Sequence, residues 1–550
     1  MNVDSEFQRA REVVRRSGVA RDLERRLRPN SSGAPRRLSV ETLLAACVVV
    51  HGRHFRTATF IEIHRLLTSY LGMSTQFAAG TRWTSGATTR TLTYKQVHYL
   101  FHRIAALYDY SPHTARTTRP NGSTIDRKNS APLSADDRAC REREFIEDMN
   151  RLVAASRPLA IPAADTLVLD ASGFATAARP DYELPDARKE ADYQADTSAY
   201  ARQRSCSHDP DARWDYRTET HQKGTDRVFG FQILGGVGMH DRQSPFHDLH
   251  LFQAFALVPG GYMKAAPTLR LLDAYTAIGN PTPRLLVDRG YSNWTVETWS
   301  DELLARGIEQ ILDLNDADRG ARLDPATGAR MIDGWPYAPW TPEHLYRVSA
   351  PKKLVATEPP EGASEKRKAA YRRSLAAIDE FRAAQEELGR YALKPNTAMR
   401  RDGSRQFKQP TYNRHLATAE QRKTRVFTQA TVVISAAVSG KLRQRHRWGS
   451  DEWIRDYAPR GAVEGAFGRI QAKDGDGERI QRGWTRIVGL VPTALLITTA
   501  LIHHNIRIAR RWAQRTGCQS TDVLLAPDGD TDPGPMVPGP LGSAAPPAAA

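Results

Sequence analysis

The sequence predicts a mixed α/β protein. The expected architecture is a mixed five-stranded sheet flanked by helices, with an all-α N-terminal region and a domain inserted late in the chain. Three observations predict it. From residue 161 onward, apolar runs of strand length alternate with segments of helical periodicity. Their order is three strands, a helix, a strand, a helix and a strand, which suits a mixed sheet with helices on its faces. The pattern then breaks over residues 315–425 before helices resume.

The chain has 550 residues, enough for two to four folding units. Lysine and arginine number 78 against 62 acidic residues, a formal charge of +16. A surplus of that size favours a polyanionic partner such as nucleic acid. The plainer reading is a soluble protein that is merely basic. The four cysteines, Cys47, Cys140, Cys206 and Cys518, form no CxxC pair, so no zinc ribbon is expected and a reducing cytosol fits. The charged N-terminus has no apolar run of the secretory kind. Ile487–Ile502 is apolar but short for a membrane span and contains Pro492, so it reads as a buried core helix. No membrane association is expected, and a cytoplasmic, DNA-associated protein is.

In chain order, residues 1–110 read as helical. Thr93 and Gln96 form a capping box ahead of a helix whose Val97, Leu100, Phe101, Ile104 and Leu107 make one apolar stripe. Such helices suit a helix-turn-helix DNA reader or a plain supporting bundle, and no recognition helix stands out. Residues 111–137 read as a polar linker. A core follows over 138–314, with strands expected at 166–170, 228–238, 249–258, 283–288 and 308–314. An inserted domain spans 315–425. Residues 426–516 return to the core, with TQATVVISAAV as a strand marking the return and a last helix from about Thr485 to Trp512. Residues 517–550, rich in Pro, Gly and Ala, are expected to lack a fold.

Two of the expected strands, LVLD and LLVD, end in Asp170 and Asp288. A carboxylate there emerges where α/β proteins usually hold ligands. Far downstream, Tyr457, Arg460 and Glu464 are spaced by three and four, which puts Arg460 and Glu464 on one helical face. Pro459 favours a first turn, so the helix is expected to start near it and leave Tyr457 outside. Three carboxylates without histidine or cysteine suit a hard cation such as Mg²⁺ or Mn²⁺. Two such ions about 3.5–4 Å apart serve in-line phosphoryl transfer. Alone, Arg460 and Glu464 read as a surface ion pair.

LVLDASGF, LLVDRGYSNW and YAPRGAVEGAFG together resemble the three catalytic blocks of DDE-type (ribonuclease H-like) transposases from bacterial cut-and-paste insertion sequences. The resemblance is to the subgroup whose last block reads Tyr, two residues, Arg, three residues, Glu, and which carries an insertion before that Glu. It covers roughly residues 160–512 and implies a ribonuclease H-like fold. It implies that Asp170, Asp288 and Glu464 bind two Mg²⁺ or Mn²⁺ ions. It also implies that Tyr457 and Arg460 contact DNA, and that the protein cleaves and joins strands at terminal inverted repeats and in target DNA, as a homo-oligomer. The subgroup's Lys, seven residues after the Glu, is replaced by Gln471, with Lys473 the nearest substitute. A non-catalytic DNA-binding derivative and a nuclease that does not join strands are the alternatives. Trp335 and Trp340 suit either base stacking or the inserted domain's own core. Arg372, Arg373, Arg400 and Arg401 suit either a DNA channel or a solvated surface. His503 and His504 lack partners at metal-ligand spacing.

Overall fold

The computed structural model describes residues 2–28, 36–110, 116–118, 124–126, 133–178, 209, 211–218, 225–261, 264–351, 358–472, 478–518 and 522–525. Its centre is a six-stranded mixed sheet. In chain order the strands are β1 (Thr166–Ala175), β2 (Arg213–Thr218), β3 (Thr225–Met239), β4 (Phe252–Pro259), β5 (Arg284–Val287) and β6 (Glu309–Leu312). β6 lies beside β5, β5 beside β1, and β1 beside β3. The contacts among β1, β5 and β6 are parallel, and those of β3 with β1, β2 and β4 are antiparallel. β2 is a strand the sequence analysis did not anticipate, and it forms a hairpin with the first half of β3.

Alternating side chains bury both faces, as a period of two requires. Leu167, Leu169, Leu285 and Val287 face one core with the Ala265–Ala277 helix. Val168, Leu286 and Ile311 face the other, which is continuous with the N-terminal helices and the long Leu490–Thr516 helix. That helix is buried along most of its length and carries Pro492 in its first turn, where proline is tolerated. Among the described residues no helix is long and apolar enough to cross a membrane.

The free edge of β4 is closed by two buried amides. Asn150 exchanges hydrogen bonds with Phe255 N and O at 2.8 and 2.9 Å, and Asn505 with Phe252 N and O at 2.9 and 2.7 Å. These satisfy backbone groups that would otherwise be buried without partners.

Among the described residues of the N-terminal region, the strands are those of one antiparallel hairpin, Arg82–Ser85 with Thr88–Thr91, and the other elements are helices. The capping box at Thr93 is formed, and Val97, Leu100, Phe101 and Ile104 are buried as the stripe requires. Residues 315–440 build a separate apolar core from two small sheets and the Glu365–Arg390 helix. Thr431–Ile434 is a strand, but it pairs with Arg405–Lys408 inside this unit and not with the main sheet. Leu524 and Leu525, in the stretch expected to lack a fold, are buried, and Asp522 pairs with Arg16 at 2.9 Å. Cys47, Cys140 and Cys518 are free thiols, while Cys206 lies outside the described residues.

His503 and His504 belong to a buried ion cluster that ties the long helix to Glu478. Their Nδ1 atoms lie 3.1 and 3.2 Å from the two Glu478 oxygens, and Arg507 spans the same carboxylate at 3.1 and 3.2 Å. Burial alone would raise the Glu478 carboxyl, but His504, His503 and Arg507 hold it well below its ordinary value. Burial lowers His504, against the opposing pull of Glu478. Both groups are depressed in the folded state, so both contributions are complete at neutral pH and drain away as pH falls. The loss starts below about 6.5 for His504 and continues below about 4.5 for Glu478. Denaturant midpoints are therefore expected to drop between pH 7.5 and pH 5, and less so in His504→Phe. An equal drop in that variant would remove His504 as the cause.

Candidate active site

Asp170, Asp288 and Glu464 converge on one face of the sheet. Asp170 is in the middle of β1 and not at its end, because the strand continues through Ala171, Ser172 and Gly173 to Ala175. Its register partner on β3 is Gly235. Directly paired residues in an antiparallel ladder share a face. A Cβ added at Gly235 would lie 2.8 Å from Phe467 and 3.0 Å from Phe252, so that face is the one covered by the Gly461–Gln471 helix. Asp288 directly follows β5 and caps the turn Arg289–Asn293, its carboxylate accepting from Gly290 N at 3.0 Å. Glu464 stands in the first turn of the Gly461–Gln471 helix.

The absence of a side chain at Gly235 sets how closely that helix approaches. Gly235→Ala is expected to cost roughly 1–3 kcal/mol through overpacking against Phe467. It should also lower any activity that depends on Glu464, three residues before Phe467. Chemical denaturation and a cleavage assay check the two effects separately.

Arg460 lies between the three carboxylates. Its Nη2 is 3.0 Å from Asp170 Oδ2 and 3.8 Å from Asp288 Oδ2, and its Nη1 is 3.3 Å from Glu464 Oε1. The side chains of Arg460 and Asp170 are 11% and 15% exposed, whereas Asp288 is 32% and Glu464 66% exposed. The site is thus open on its glutamate side and closed beneath. Burial, then repulsion from Asp288, raises the Asp170 carboxyl above its ordinary value against the attraction of Arg460. Burial works against the Arg460 charge, but Asp170 and Asp288 outweigh it and raise its pKa further.

Among the described residues, no group of three His, Cys, Asp or Glu side chains is close-set enough to hold a metal ion. The donor set nonetheless fits a hard cation in kind: all oxygen, doubly anionic at its base, and already gathered around one positive group.

The helix that carries Glu464 starts just after Pro459 and leaves Tyr457 outside it, as expected, but the chain stays helical across the junction. Tyr457 ends the helix Asp451–Tyr457, and Ala458–Arg460 forms a 3₁₀ turn that leads straight into the Gly461–Gln471 helix. Pro459 sits in the first turn of that new segment, where its missing N–H costs nothing. The Tyr457 ring stacks on Trp453 at 4.6 Å, and burial, then Asp313, pushes its hydroxyl above the ordinary value. Gln471 is bound inward: its Nε2 donates to Gly173 O at 3.2 Å and its Oε1 accepts from Ser172 Oγ at 3.3 Å. It pins the helix to β1. Lys473 lies outside the described residues.

Trp335 and Trp340 are buried in the core of the 315–440 unit, their Nε1 atoms donating to Leu393 O and Tyr412 O at 3.1 and 2.9 Å. Arg372, Arg373, Arg400 and Arg401 are exposed. Two cations near the carboxylates were missed from sequence. Lys264 is close enough to act on the Asp170 charge, and Arg289 pairs with Asp313 at 2.9 Å. Arg289 was legible as the residue directly after Asp288, but Lys264 had no signal. No protein family, curated protein or solved structure was found to match the chain.

Proposed function

We propose that the chain is a DDE-type DNA transposase, cleaving and joining strands at the ends of its own insertion sequence. The observation that carries this reading is the sharing of one guanidinium by Asp170, Asp288 and Glu464, residues drawn from two strands and a distant helix. Two further features support it. The mixed sheet β4-β3-β1-β5-β6, with β3 antiparallel and β5 and β6 parallel to β1, is compatible with a ribonuclease H-like core. The formal charge of +16 suits DNA as substrate.

In this reading Asp170, Asp288 and Glu464 hold two Mg²⁺ or Mn²⁺ ions. When bound, such ions activate the attacking oxygen and neutralise charge on the leaving one. Arg460 turns its guanidinium from the carboxylates to a phosphate beside the scissile bond, with bidentate geometry. Tyr457, at the junction of the two helical segments, lines the path of that strand. Gln471 keeps the Glu464 helix seated on β1. Water first cuts one strand, and the freed 3′-OH then attacks a second phosphodiester of the opposite strand or of target DNA. Synapsis of two ends requires a multimer on terminal inverted repeats.

The test is incubation of the purified chain with Mg²⁺ and a duplex bearing the element's end. Nicked products followed by joined products are expected, and EDTA should abolish both. Nicks without joining would favour a nuclease of the same fold, and binding without nicks a non-catalytic descendant.

A further inference from the structure

The hairpin at Arg82–Thr91 takes no part in the carboxylate site, and it touches the main core only through Trp83, which packs against it at the hairpin base. Its strands pair Arg82 with Thr91, Trp83 with Arg90, Thr84 with Thr89 and Ser85 with Thr88. Gly86, at φ 60°, and Ala87 make the two-residue turn, with glycine at the first central position as a type II′ turn demands. Residues 84–90 are all exposed. A two-stranded ribbon is marginal by itself, so its position is set at its base. There Arg82 Nε donates to Gln76 Oε1 at 2.8 Å, Leu92 N to Thr81 O at 3.0 Å, and the Arg37 guanidinium lies 5.3 Å over the Trp83 ring.

The composition around it is one-sided. Between Glu62 and Asp109 the chain contains no acidic residue, yet it carries Arg65, Arg82, Arg90, Lys95 and Arg103. Among the described residues, Arg37, Arg82, Arg90, Lys95 and Arg103 form no salt bridge with a carboxylate. Burial, then repulsion from Arg28 and Arg103, lowers the neighbouring Arg36 guanidinium even beside Glu24. An exposed edge carries charge simply to prevent strand pairing. That purpose explains neither the missing counter-charges nor the run of Thr84, Ser85, Thr88, Thr89 and Thr91 hydroxyls. Cations and short hydroxyls without carboxylates are the groups that bind phosphate oxygens.

We propose that the Arg82–Thr91 hairpin, continued by Lys95 and Arg103 on the exposed face of the Tyr94–Tyr108 helix, is a docking surface for duplex DNA. The choice of DNA rests on the transposase reading above. Four residues per strand give a ribbon about 13 Å long, matched to a major groove about 12 Å wide that admits a two-stranded ribbon. Arg82 and Arg90 lie on opposite strands and, by the ladder register, on opposite faces of the ribbon, so in this docking each meets a different one of the flanking backbones, and the threonine hydroxyls donate between them. DNA contact in the N-terminal region is thus led by a ribbon, where the sequence left helices open as either a DNA reader or a plain supporting bundle.

Fluorescence anisotropy of the full chain tests this, with one labelled duplex bearing the element's end and one of unrelated sequence, each titrated across salt. Arg82→Ala/Arg90→Ala is expected to bind both duplexes at least about tenfold more weakly and to lower the slope of log affinity against log salt by about two. Arg90→Ala alone, which leaves the Arg82–Gln76 bond at the hairpin base intact, should lower it by about one. Arg372→Ala/Arg373→Ala, on the exposed face of the Glu365–Arg390 helix, removes the same charge elsewhere and should leave affinity within about twofold. Far-UV circular dichroism confirms that each variant is folded. Parent-like binding by both hairpin variants overturns the docking surface and leaves the transposase reading standing. An equal loss in the Arg372/Arg373 control also overturns it, since net charge would then suffice. No DNA binding by the unsubstituted chain overturns both.

Discussion

Asp170→Asn is expected to lower DNA strand cleavage by at least about a thousandfold, the worth of several kcal/mol of transition-state charge stabilisation, while leaving the melting temperature unchanged or raised. The two halves of that expectation have separate physical origins. Asp170 is largely shielded in the middle of β1, its side chain 15% exposed, and its carboxyl is raised by burial first and by Asp288 second. A carboxyl raised in the folded state is carried ionised at a cost, and its contribution to stability falls as pH rises through that raised value. Asparagine keeps the shape and removes the cost. Arg460 is not stranded by the change, because Asp288 and Glu464 still reach it at 3.8 and 3.3 Å. Carboxyls perturbed in this way cluster at functional sites, in keeping with the proposed catalytic role. Asp288→Asn and Glu464→Gln should lose cleavage to a similar degree, with DNA affinity within a few-fold of the parent in all three. Parent-like cleavage by Asp170→Asn would sink the catalytic assignment, and a matching collapse of DNA affinity would reassign Asp170 to binding.

What was legible in the sequence divides along physical lines. Asp170 and Asp288 were visible because apolar runs of strand length stop at an acid, and burial enforces such runs. Glu464 was visible only through its helical spacing from Arg460. The length of β1 was not visible. Ala171, Ser172 and Gly173 have little strand preference of their own, and they stay extended because Gln232–Leu234 of β3 pairs with them. β2 was missed because Arg213–Thr218 mixes charge with aromatics and gains its strand from hairpin pairing with β3. Thr431–Ile434 has the composition of a strand, but composition carries no information about partners, and the pairing with Arg405–Lys408 places it outside the main sheet. Pro459 was read as a helix start, and a 3₁₀ turn lets the two helical segments follow on without a gap. The Arg82–Thr91 hairpin is a different kind of miss: alternating threonines around a glycine turn are a local signal, and the surrounding helices obscured it.

Arg460→Ala is the substitution with the second large expected effect, and it separates a cation site from a mere ion-pair cluster. Among the described residues the Arg460 guanidinium is the only cation in contact with all three carboxylates, and its side chain is 11% exposed. Removing it leaves Asp170 and Asp288 facing each other across a desolvated gap, with Glu464 beside them. Breaking a buried pair in this way typically costs about 3–5 kcal/mol, so in EDTA the variant should melt several degrees below the parent. Any divalent cation that binds the folded carboxylates then stabilises by mass action. In the parent it must first displace Arg460; in the variant it meets the carboxylates unopposed. Added Mn²⁺ or Mg²⁺ is therefore expected to raise the melting temperature of Arg460→Ala more than that of the parent, and Asp170→Asn/Arg460→Ala should lose most of that gain. Cleavage by Arg460→Ala should still fall, because the phosphate loses its bidentate partner. A metal-induced shift no larger in the variant than in the parent would mean that Arg460 and the cation do not share these carboxylates. The cluster would then be a structural lock that holds the Gly461–Gln471 helix on the sheet.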